Sequence, residues 1–169
     1  FVNFDAAAWT FINAAKKGTW MYIKSYKNSN QLMQPVNYEG TYVNLWGGDG
    51  AYKQWQFEAH EDYFYIKNMN TGKYLWFDAL KNGAAVNAET VNPGWNNRFK
   101  LVTDQKTLTF SIRTYADTKY CVEIGGRDSS MPQQNDKIQI WTYEGLQNQK
   151  WNITVDDGEQ LNGTLIYDI

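Results

Sequence analysis

Residues 137–153, KIQIWTYEGLQNQKWNI, decide how this chain is read. Ile138 and Ile140 fall on one side of an extended strand, Gln139 and Trp141 on the other, because successive strand side chains point to opposite faces. With the isoleucines in a core, the opposite face shows an amide beside an indole. A turn containing Gly145 then brings Asn148 and Gln149 back towards Trp141, and Trp151 follows. An indole ringed by amides suits a neutral, hydroxyl-rich ligand, since the ring covers C–H groups while amides both donate and accept. The plain alternative is an aromatic hairpin packed in a core. Trp141 fits either reading, and Trp151 fits the core.

The pattern occurs three times. Val43-Asn44-Leu45-Trp46 precedes Lys53-Gln54-Trp55; Val86-Asn87-Ala88-Glu89 precedes Asn97-Arg98-Phe99; Ile138-Gln139-Ile140-Trp141 precedes Gln149-Lys150-Trp151. The closing aromatic follows the fourth motif residue by 9, 10 and 10 positions (46 to 55, 89 to 99, 141 to 151). With its Gln-x-Trp triplet in the third copy, the chain resembles the ricin B-chain type β-trefoil lectins and carbohydrate-binding modules, whose signature is three such triplets.

Taken from its start, FVNFDAAA lacks a basic n-region and a long apolar h-region, so it does not read as an intact signal peptide. From Trp9, two strand-like runs flank a Lys16-Lys17-Gly18 turn; the second unit turns at Asn70-Thr71-Gly72 and the third at Ala116-Asp117-Thr118. Superposing these openings matches Ile12, Ile66 and Ile112, then Trp20, Tyr74 and Tyr120, then Ile23, Phe77 and Glu123. Such a period, with strand signals inside it, indicates an array of like β units. Residues 24–40 read as an enlarged loop, as do 125–136, while 81–85 make a short turn. Loops at equivalent places tend to line one binding face. A last apolar run, Leu165 to Tyr167, is expected to pair with Phe1 to Phe4 and close the structure. No stretch shows sustained helical periodicity or the length to cross a membrane.

Composition narrows the function. The 169 residues suit one domain. Aromatics reach 17%, more than a core this size needs, so some are expected on the surface as contact groups. A net charge of −2, interspersed, argues against nucleic acid and anionic membranes. The one cysteine, Cys121, excludes an internal disulfide and reads as a buried strand residue. The one histidine, His60, lies in a charged turn and reads as solvated. No Cys/His cluster has metal-ligand spacing, no nucleotide or nucleophile motif occurs, and no cofactor is implied. Paired carboxylates such as Asp156-Asp157 and Glu61-Asp62 sit in turns.

The resemblance spans about residues 10–155 and implies an all-β fold, a β-trefoil with three pseudo-repeats. These run over about 10–58, 63–102 and 109–155, in a single domain over 1–169 that ends in a closing strand, 156–169. The family's triplet aromatic belongs to the core, so Trp55, Phe99 and Trp151 are expected to be structural. Its sugar sites use an acid, an amide with an aromatic two residues on, and an Asn-Gln pair. Carried over, the third unit keeps Glu123 (for Asp), Gln139, Trp141, Asn148 and Gln149. The first keeps Asn44 and Trp46 but has Ile23 for the acid and Tyr52-Lys53 for the pair, with Gln34 and Asn37 near at hand. The second keeps Asn87 and Asn97, with Phe77 for the acid and Glu89 for the aromatic; Trp76, Asp78 and Trp95 offer a different surface. The resemblance thus implies a non-catalytic carbohydrate-binding domain, extracellular, either a free lectin or a module of a larger extracellular protein. The alternative is a protein-binding trefoil, a toxin receptor-binding or inhibitor domain.

Overall fold

The computed structural model describes residues 6–36, 42–89, 93–104 and 106–155. Each unit contributes four strands. The first holds β1 (Trp20–Ser25), β2 (Leu32–Pro35), β3 (Val43–Trp46) and β4 (Gln54–Ala59); the second β5 (Phe64–Asn68), β6 (Tyr74–Phe77), β7 (Val86–Glu89) and β8 (Phe99–Asp104). The third holds β9 (Thr109–Thr114), β10 (Tyr120–Ile124), β11 (Ile138–Thr142) and β12 (Trp151–Thr154).

Six strands form a closed antiparallel ring: β1 pairs with β4, β4 with β5, β5 with β8, β8 with β9, β9 with β12, and β12 with β1. Closure removes the exposed edges that an open sheet must protect. The other six pair as hairpins, β2 with β3, β6 with β7 and β10 with β11. Three bridges link the hairpins cyclically: Tyr42 to Asn87, Ala85 to Gln139, and Lys137 to Asn44. Each joins the residue before one motif to the amide position of the next, which is threefold pseudosymmetry written in backbone pairing. A six-stranded barrel under three such hairpins is a β-trefoil.

The strand registers define the equivalent core positions. Trp55 pairs with Asn68, Phe99 with Thr114 and Trp151 with Ser25. Two residues earlier on those partners lie Ile23, Ile66 and Ile112, all fully buried. Val43, Val86 and Ile138 make a second buried layer. The indole N–H of Trp55 donates to the Met33 carbonyl and that of Trp151 to Val122, at 2.9 and 3.1 Å. Phe99 has no such donor. There the amide of Asn97 donates to the equivalent carbonyl, Leu75, at 3.0 Å.

Three expectations are corrected. Ala6–Lys16 is an α-helix, α1, rather than a strand. Its alanines are the best helix formers, and Phe11, Ile12 and Ala15 form one buried stripe. Gly18, at φ 72°, ends it: its N–H bonds Ala15 O and that of Thr19 bonds Ala14 O, both at 3.0 Å. Ile12 is therefore helical, and Ile23 takes its place in the threefold set. The stretch 24–40, read as a loop, contains β2. The expected pairing of 165–167 with 1–4 lies outside the described residues, and the ring is closed by β12 on β1.

Phe11 packs against Phe57, Phe64 and Phe110, with ring centroids 5.6, 6.0 and 5.5 Å away. Phe64 and Phe110 stand at the starts of their strands, remote from the hairpins. The helix thus plugs the barrel end opposite the hairpin triplet.

Candidate functional site

The third hairpin carries a cavity of ≈ 290 Å³ lined by Glu123, Gln139, Trp141, Glu144 and Asn148 among others. Glu123 and Gln139 are cross-strand partners, which brings the acid and the amide side by side. Gln139 Nε2 donates to Glu123 Oε2 at 2.8 Å, and Gln149 Nε2 to Glu123 Oε1 at 3.0 Å. Glu123 is only 5% exposed. Burial pushes its carboxyl pKa above the usual glutamate range; the two amide bonds oppose the shift, and Glu144 and Asp128 add to it. Each oxygen keeps lone-pair capacity for a ligand hydroxyl.

Gln149 is fully buried and completely bonded. Its Oε1 accepts from the backbone N–H of Glu144 and Leu146, and its Nε2 also donates to Thr142 O. It positions Glu123 and the turn. Asn148 donates to Ile124 O at 2.9 Å, while its Oδ1 is buried without a hydrogen bond. Asn148 is among the residues that line the cavity. Trp141 is half-buried, and its indole N–H donates to Glu144 Oε1 at 3.0 Å. Gly125 admits the amide: a Cβ there would stand 3.0 Å from Gln139 Cδ. Trp151 lies beneath, fully buried. Cys121, paired with Trp141 across the hairpin, is also buried, and that burial pushes its thiol pKa up.

The first hairpin has a related cavity of ≈ 520 Å³, lined by Gln34, Asn44, Trp46, Tyr52, Lys53 and Asn135 among others. Gln34 pairs with Asn44 as Glu123 pairs with Gln139, and Trp76 with Asn87. The acid position is therefore held by Gln34 and Trp76, where the sequence superposition put Ile23 and Phe77. Phe77 is one residue out of register, which turns it to the core face, and Ile23 lies a strand earlier, on β1; both are fully buried. Asn44 is buried, accepting from Gln34 Nε2 and donating to Asn135 Oδ1. Trp46 is 40% exposed. In the second unit Asn97 is spent on Leu75 O and the Gly94 N–H, and Glu89 stands where the other units have Trp. Trp76 is half-buried and Trp95 exposed against Phe77.

The loop 125–137 connects the two cavities. It starts beside Gln139 and ends with Asn135 on Asn44 and the Lys137 bridge. Arg127 clamps Asp136 through two hydrogen bonds, 2.6 and 2.9 Å. Lys27 and Asn28 of the first unit hold Arg127 O and Pro132 O.

The family described as ricin-type β-trefoil lectin domain-like matches residues 51–141, more than half of the chain. This chain belongs to that family. Among solved structures, the ricin-type lectin-like chain is similar to a Macrolepiota procera ricin B-like lectin in complex with lactose. The identity is 18% and the TM-score 0.71, covering 82% of this chain and 96% of that one. The Rhizoctonia solani agglutinin gives 15%, 0.70, 82% and 96%. A mosquitocidal holotoxin gives 19% and 0.68, covering 82% of this chain but 17% of that one. No curated protein sequence matches the chain.

Sequence reasoning for this ricin-type lectin-like domain missed Asp128 and Glu144, both at the third cavity. Glu144 had a signal: it follows Trp141 by three residues and directly precedes the turn glycine Gly145. Asp128 had none, because only the folded loop brings it there.

Proposed function

We propose that this domain binds carbohydrate without catalysing a reaction, chiefly at the third hairpin. The observation that carries the reading is the set of acceptors there. The Glu123 carboxylate and the Gln139 amide line one cavity with Asn148 and the Trp141 indole. A sugar ring offers that surface an apolar C–H face and a row of hydroxyl donors. Both Glu123 oxygens are tied to amides, which suits holding hydroxyls in place more than transferring a proton. Family membership supports the same reading, and we extend it to an extracellular setting, as a free lectin or as one module of a larger protein. An array of immobilised glycans and polysaccharides tests it. Selective retention on a subset of saccharides is expected, and no retention on any would overturn the proposal.

A second reading, protein binding, rests on another face. His60, Tyr63, Tyr65 and Tyr115 form one aromatic cluster, with the Arg98 guanidinium 4.8 Å from the Tyr63 ring centre. Tyrosine and arginine are enriched at protein interfaces. Tyr63→Ala would remove such an interaction and leave saccharide binding unchanged.

A further inference from the structure

The first cavity is the third one with its charge reversed. Gln34 stands where Glu123 stands, and Lys53 stands where Gln149 stands. The third cavity is lined by three carboxylates, Glu123, Asp128 and Glu144. Among the described residues, those lining the first carry no carboxylate and one ammonium, Lys53.

Lys53 is just over nine-tenths buried, at 9% exposed, in the wall of the cavity. It has no side-chain hydrogen bond or ion pair among the described residues. The other buried lysine among the described residues, Lys150, sits 3.0 Å from Asp104. The Lys53 stem is buried while its ammonium is not sealed from solvent, so an anion entering the cavity meets an unpaired positive charge there. The same cavity is lined by Trp46, with an exposed indole, and by the Gln34–Asn44–Asn135 amide chain.

We propose that this pocket takes a saccharide unit bearing an anionic oxygen group, a carboxylate or a sulfate ester. Its anion lies on Lys53 and its ring on Trp46. The inference rests on the carbohydrate reading above. It divides the labour: neutral units go to the Glu123 cavity, whose carboxylates repel anions, and acidic units go to the Lys53 cavity.

Calorimetric titration tests this with four probes: trigalacturonate, its methyl ester, a 6-O-sulfated galactotriose and neutral galactotriose. Wild type is expected to bind at least one anionic probe tenfold or more tighter than its uncharged counterpart, with the preference shrinking as salt rises. Which anion gains tells carboxylate from sulfate. Lys53→Gln, which restores the third unit's residue type, should abolish the preference for the anionic probe over its uncharged counterpart. Trp46→Ala should weaken the anionic probes at this pocket, with melting curves confirming that both variants fold. Equal affinity of wild type for charged and uncharged probes, or a preference that survives Lys53→Gln, overturns this inference alone. Neutral binding that vanishes in Glu123→Gln then still supports the general reading. Absence of binding by every probe overturns this inference, and the glycan array decides the general one.

Discussion

Replacing Glu123 by Gln separates building the third cavity from presenting it to a ligand. Each Glu123 oxygen accepts one amide N–H, from Gln139 and from Gln149. A glutamine offers one oxygen and one NH₂, so one partner meets donor with donor. Gln149 cannot turn, because its amide holds three other groups. Gln139 can, so the variant turns its oxygen to Gln149, and Gln139 flips. Two charge-assisted hydrogen bonds become neutral, at about 1 kcal/mol each. No longer burying a charge offsets much of this. The net change should be about 1 kcal/mol or less, moving Tm by about 2–4 °C. Binding suffers more, since the acceptor charge is gone and Gln139 presents a donor in place of an acceptor. A loss of about 1.5–3 kcal/mol corresponds to roughly 10- to 100-fold in Kd. Protonation of Glu123 has the same effect. Its pKa is raised, so binding is complete well above that folded value and falls as pH drops through it, above the usual ~4.3. Calorimetry with a saccharide selected on the array, between about pH 4 and about pH 8, reads both limbs. Glu123→Gln should bind weakly at every pH. A variant that binds as wild type does, or a wild type with no acid limb, refutes the reasoning.

Trp141→Ala should abolish most binding with Tm within a few degrees, whereas Trp151→Ala, losing a buried indole and its bond to Val122 O, should cost ~3–5 kcal/mol; paired melts and titrations check this. Phe11→Ala should cost a similar ~3–5 kcal/mol by emptying the barrel end, and a melt that matches wild type would remove the helix from the fold's support. Burial raises the Asp104 pKa, but the Lys150 ion pair and the Thr107 and Lys106 backbone N–H bonds outweigh it, lowering the value to about 2. The stabilisation is present above the ordinary aspartate value and is lost as pH falls from about 4 towards 2, an effect on the order of 1–2 kcal/mol. Acid unfolding of Asp104→Asn should lack that component.

The three hairpins were legible because alternation and a repeated motif are local signals. Val43, Val86 and Ile138 fell on the core face simply by period two. The first strand was harder. Ile12 and Ile23 both fit an alternating template, and only the pairing of β1 with β12 chooses between them. The alanines of α1 carried the helix signal, but a preceding-turn reading of Lys-Lys-Gly hid it; the same Gly18 ends a helix as readily as it turns a hairpin. The first unit's acid position was misread because the long 24–40 stretch conceals β2, so Gln34 had no visible register. The third hairpin's candidate residues converge in the folded chain, but the place of Gln149 as a buried brace and the unbonded Asn148 Oδ1 needed the folded hydrogen-bond pattern.

The loop 125–137, with its Arg127–Asp136 clamp, has a consequence for polymers. Because one braced segment touches both cavities, their separation works as a caliper set at a fixed opening. On the proposed reading, a chain molecule engaging both must present matching units at that interval, so recognition would depend on spacing along a polymer as well as on the chemistry of each unit. Two weak contacts at the right pitch then act as one strong one, while the same sugars at another pitch compete for single cavities.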